Sequence, residues 1–120
     1  MLRRSLLVPG LAVALLLSAG FFLAQRSSDV DAVRVPLKLY TQAHATGDAS
    51  YVRRAFHPDA TISWVRDDIV EQESLDKYAA RFSGKPARDE AERQRRIAFV
   101  DVSGDVATAR IELDYPYADI

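Results

Sequence analysis

At 120 residues, with 48% hydrophobic and 28% charged side chains, the chain has room for one domain and the composition of an ordinary soluble one. Its 16 Lys and Arg against 17 Asp and Glu leave a formal net charge of −1, without the basic face that a DNA or RNA partner demands. Cysteine is absent, which excludes disulfides, thiolate metal sites and a lipidated cysteine, so stability must come from burial alone.

Met1-Leu2-Arg3-Arg4 opens the chain with positive charge, Leu6 to Leu17 is apolar around a Pro9-Gly10 interruption, and Ser18-Ala19-Gly20 supplies small residues. This order of features reads as a secretory signal peptide over residues 1–24. The alternative is an uncleaved membrane anchor, because the apolar run extends through Phe21-Phe22-Leu23-Ala24. In either case Arg3 and Arg4 stay on the cytoplasmic side and the folded part is exported, periplasmic or secreted, touching the membrane only through its N-terminal segment.

Gln25 to Asp29 is polar and reads as a linker, leaving residues 30–120 as the domain. Ser28 and Asp31 have the spacing of a capping box, so a helix is expected to start near Val30, or at Val35 or Pro36 if the proline sits in its first turn. Leu37, Tyr40, Thr41 and His44 then share one helical face. Gly47 stops that helix and Asp48 caps a second one, Ala49 to Phe56. Pro58 disfavours helical geometry at His57, so the chain turns there, with Phe56 at the corner, into a strand over Ala60 to Val65. Arg66-Asp67-Asp68 has turn chemistry, followed by a short return strand at Ile69-Val70. Ser74 caps a third helix, Leu75 to Phe82, which Ser83-Gly84-Lys85-Pro86 ends; Ala87 to Glu92 reads as a loop. Arg95 to Val102 and Val106 to Tyr115 form a hairpin about Ser103-Gly104-Asp105, with Ala107, Ala109, Ile111, Leu113 and Tyr115 on one face. The order implies an α+β fold: about three N-terminal helices packed on a curved antiparallel sheet, a cone in outline.

Motifs that carry chemistry are few. There is no Walker loop, nucleophile elbow or zinc spacing. Asp67, Asp68, Glu71 and Glu73 lack the glycine-punctuated loop that wraps a hard cation, and read as a solvated turn, so no metal site is expected. Arg93, Arg95 and Arg96 are offset by Asp89, Glu90 and Glu92 and read as a charged loop entering a strand. His57 at the helix end is expected to satisfy loose carbonyls, and Asp59 to shape the turn. Tyr40, Phe56, Trp64, Tyr78 and Phe82 come from elements that converge inside the cone. With His44, from the apolar face of the first helix, they are the candidate lining of a pocket for a small planar or apolar ligand, and otherwise fill that space as core. No cofactor is implied.

Four segments carry a resemblance: Tyr40-Thr41-Gln42-Ala43-His44-Ala45-Thr46-Gly47-Asp48, Phe56-His57-Pro58-Asp59-Ala60, Phe82-Ser83-Gly84-Lys85-Pro86 and Val102-Ser103-Gly104-Asp105-Val106-Ala107. Together they resemble the family named "putative lumazine-binding", within the superfamily similar to nuclear transport factor 2 that also holds ketosteroid isomerases and polyketide cyclases. The resemblance spans Val30 to Asp119 and implies the cone fold, with a non-catalytic small-molecule-binding or interaction role. It also implies two closing strands beyond Ile120, hence an incomplete domain here, and a homodimer through the outer face of the sheet. Aligned on the isomerases, Tyr40 takes the place of their phenol and Trp64 that of their base. An indole cannot abstract a proton, so no catalytic residue is expected; the alternative is an isomerase- or cyclase-like enzyme using His44 or an unidentified base.

Overall fold

One long helix, α1 (Pro9–Thr46), packs against a second helix and the last hairpin in this computed structural model, which describes the backbone of residues 9–116 and the side chains of residues 24–116. The expected starts at Val30 and Pro36 are therefore interior, and the polar stretch expected as a linker is helical. Gln25 donates to Asp29 one turn on at 3.0 Å, and Arg26 reaches Asp101 of the last hairpin at 3.2 Å. Pro36 leaves the Ala32 carbonyl without its i+4 donor, a cost of up to about 3 kcal/mol. Its ring, however, joins Val33, Leu37 and Tyr40 on the face that lines a cleft, and tertiary packing of that face outweighs the local penalty. The expected leader or anchor lies outside the described side chains. Among the described residues no helix is long and apolar enough to cross a membrane.

Local punctuation then works as the sequence implies. Gly47 takes a φ of +72° and donates its N–H to the Ala43 carbonyl at 2.8 Å, closing α1. The Asp48 carboxylate accepts the Ser50 N–H at 2.8 Å and starts α2 (Ala49–Ala55). Strand β1 (Thr61–Arg66) follows and pairs antiparallel with β2 (Ile69–Ser74), Arg66 opposite Ile69. Asp67 and Asp68 both have positive φ, 50° and 62°, the geometry that two-residue hairpin turns require. The return strand is longer than Ile69-Val70, whereas α3 (Leu75–Ala79) is shorter than expected: beyond Ala79 the amides of Arg81 and Phe82 reach back three residues instead of four. Ser74 accepts the Lys77 N–H and caps α3. A 3-10 turn, Glu90–Glu92, interrupts the polar loop.

The last hairpin, β3 (Gln94–Ser103) with β4 (Val106–Asp114), turns at Gly104, whose φ is +58°. A register shift between Ile97 and Phe99 marks a bulge at Ala98, which bends β3. Among the described residues the strands form two antiparallel pairs, β1-β2 and β3-β4, where one continuous curved sheet was expected. The architecture is α+β, helices packed on antiparallel strands. Ala43, Val52, Leu75 and Ala79 are the fully buried centre, with Phe56, Ile62, Tyr78 and Phe82 packed around them.

Candidate functional site

The core is small because much of the apolar surface faces a cleft of ≈ 550 Å³. Helix α1 supplies Val33, Pro36, Leu37 and Tyr40, the i, i+3, i+4, i+7 stripe of one helical face. The turn from α2 into β1 adds Ala55, Phe56, Thr61 and Ile62. From β4 come Ala107, Ala109, Ile111 and Leu113, the alternating face read from the sequence, together with Thr108. No Asp or Glu stands among these lining residues.

Tyr40, Phe56 and Tyr78 of the expected set line this cleft. The Tyr40 ring meets Phe56 edge-on, with centres 5.4 Å apart, and its hydroxyl lies 2.8 Å from that of Tyr78. The Tyr78 hydroxyl in turn lies 3.1 Å from His44 Nε2. Three side chains thus form one hydrogen-bonded chain, which neutral imidazole satisfies as acceptor or, in its other tautomer, as donor. Burial, with Arg95 and Arg93 nearby, lowers the His44 pKa to about 4. Burial and the bond to Tyr40 raise that of Tyr78 well above the ordinary phenol value. At neutral pH His44 and Tyr78 therefore carry no charge.

His44, Tyr78 and Phe82 line a second, smaller hollow of ≈ 260 Å³, and Arg81, Lys85 and Arg93 are also among its lining residues. Phe82 stands edge-on to both His44 and Tyr78, each at 5.5 Å. Tyr78 belongs to both spaces.

Trp64 is not where the pocket reading put it: it lines neither space. It lies on the inward face of β1 two residues past Ile62, hence about 7 Å further along the strand, toward the hairpin tip. There the Arg81 guanidinium covers its ring at 5.1 Å, and Arg81 is held by Glu73 at 2.7 Å. His57 also differs from expectation: it is exposed, and its Nδ1 accepts the Asp59 N–H at 3.2 Å instead of serving carbonyls.

Sequence reasoning missed the group behind His44. Arg95, its side chain only 10% exposed, forks onto Glu90 at 2.6 and 2.8 Å and donates from Nε to the Tyr115 hydroxyl at 2.7 Å. The bond from Arg95 lowers the Glu90 pKa, and burial raises that of Tyr115. The Tyr115 ring centre is 5.9 Å from that of His44. Only with the bulge at Ala98 in place does Arg95 stand opposite Leu113 and diagonal to Tyr115; counted from the turn alone, the register would put Arg95 opposite Asp114. Replacing Arg95 with Met should raise the His44 pKa toward its ordinary value, because a nearby positive charge is removed. An NMR titration of the imidazole checks this; an unmoved pKa would leave burial and Arg93 as the causes of the lowering.

A family model described as "Putative lumazine-binding" matches residues 28–120. A crystal structure of an NTF-2 like protein of unknown function from Silicibacter pomeroyi DSS-3 superimposes with a TM-score of 0.62 at 23% identity, covering 75% of each chain. At that identity the likeness speaks for the fold. No curated protein matches the chain. With helices on antiparallel hairpins, an NTF-2 like neighbour and a family match over most of its length, the chain belongs to the "Putative lumazine-binding" family and has the NTF-2 like cone fold.

Proposed function

We propose that this chain is an exported, non-catalytic domain that holds a small, flat, largely apolar molecule of the lumazine or flavin kind in the cleft between α1 and β4. One observation carries the reading: an apolar cleft of ≈ 550 Å³, within the range of small-molecule sites, whose polar points are threonines and a hydrogen-bonded pair of phenols. Such a surface stacks on a ring and offers it a hydrogen bond. The isomerase or cyclase alternative needs a base at the ligand, and the described lining of this cleft holds neither a carboxylate nor His44, which lines the second hollow instead. Arg3 and Arg4 ahead of an apolar run support export, through a cleaved leader or an anchor. The exposed cross-strand pair Val65 and Val70 supports a homodimer through the outer sheet face, which light scattering would read.

Riboflavin and a ribityl-lumazine, followed by their own fluorescence anisotropy, are suitable probes, since Trp64 lies away from the cleft. Saturable binding is expected, and Ala109→Trp, which fills the cleft from β4, should weaken it at least about tenfold. Binding that survives Ala109→Trp unchanged would place the ligand elsewhere. No binding by any planar heterocycle would remove the reading.

A further inference from the structure

The second hollow differs from the cleft in charge. Three cations, Arg81, Lys85 and Arg93, line it together with the aromatic His44, Tyr78 and Phe82. Two of the three are held in place by carboxylates, Arg81 by Glu73 at 2.7 Å and Arg93 by Asp89 at 2.9 Å. Each of those contacts uses one nitrogen of a guanidinium that offers five N–H donors. Lys85 is exposed and has no carboxylate partner among the described residues. Its ammonium has no ion-pair partner there, and the two braced guanidinium groups, which line the same hollow, each have donors beyond the nitrogen that the carboxylate takes.

We propose that this hollow is an anion subsite for a carboxylate or phosphate group carried by the ligand whose flat part lies in the cleft. The inference rests on the reading given under Proposed function, and it narrows the ligand to a planar heterocycle with an anionic arm. Tyr78, shared by both spaces, is the wall that the arm passes. A bound anion would meet Lys85 as a mobile charge and the guanidinium groups as fixed donors, the combination that recognises phosphate or carboxylate oxygens.

A competing role for the same cations is to neutralise the C-terminal carbonyls of α1, which ends at Thr46 nearby. The 120-residue chain is therefore titrated with riboflavin and with riboflavin 5′-phosphate, as wild type, as Lys85→Gln and as the control Lys77→Gln on α3. The phosphate-bearing probe is expected to bind roughly tenfold more tightly than riboflavin, and Lys85→Gln, but not Lys77→Gln, to abolish that advantage. Equal affinities on the wild type, with Lys85→Gln changing stability alone, would overturn the subsite while leaving the cleft intact. If neither flavin binds, inorganic phosphate against acetate, read by NMR at the His44 ring, decides. A saturable shift lost in Lys85→Gln upholds the subsite; no shift overturns it.

Discussion

Replacing Gly47 with Ala is expected to cost about 3 kcal/mol or more, the largest loss for an added methyl group at any of the described glycines. Two penalties coincide there. The φ of +72° is a left-handed conformation that an L side chain adopts at a cost of about 1–2 kcal/mol. In addition, a Cβ at Gly47 would lie 2.0 Å from the Lys85 carbonyl oxygen and 2.6 Å from its carbon, so the backbone of the following loop would have to move. That loop is docked by the Gly84 N–H, which donates to the Gly47 carbonyl at 2.9 Å, and moving it breaks the bond. Gly104→Ala is the control: its φ of +58° carries similar strain, but nothing lies within 4 Å of its added Cβ. Urea midpoints should separate the two variants by about 2 kcal/mol. Equal losses would show that the loop at Lys85 yields freely.

The second large effect is a dependence of stability on pH that comes from His44. Its pKa is about 4 in the folded chain and 6.5 by default, so above pH 6.5 both states hold it neutral and its contribution is complete. Between 6.5 and 4 the unfolded chain takes up a proton that the folded chain refuses, and stability falls as the pH falls. From pH 7 to pH 5 the loss from this group is about 2 kcal/mol. Carboxylates add their own dependence, so the comparison is with His44→Gln, which keeps a hydrogen-bonding partner for Tyr78. Wild type should lose about 2 kcal/mol more than the variant over that interval, measured by denaturant unfolding at each pH. Parallel curves would mean that His44 is solvated and titrates normally.

Features decided by one residue's backbone preference were legible in the sequence. Gly47, Asp48, Pro58, Ser74 and Gly104 each act through a local conformational limit, and the elements change close to them. The faces of α1 and β4 were legible for a related reason, since helical and strand periods need no knowledge of the partner. What escaped was set by tertiary packing. Local rules put Pro36 in the first turn of a helix, yet it lies deep inside α1, whose cleft face stays packed across the proline. No residue signals the bulge at Ala98, and without it the strand register drifts by one position. Trp64 has the right parity on β1 but stands past the end of the cleft, a distance that periodicity does not contain. Arg95, Glu90 and Tyr115 meet only because a loop folds back over the last hairpin.

The cleft between α1 and β4 as a seat for a flat molecule is tested most directly by locating a bound probe. Intermolecular NOEs between riboflavin ring protons and the side chains of Leu37, Ile111 and Leu113 are expected, with the Trp64 indole silent. Contacts to Trp64 without any to α1 or β4 would contradict that placement.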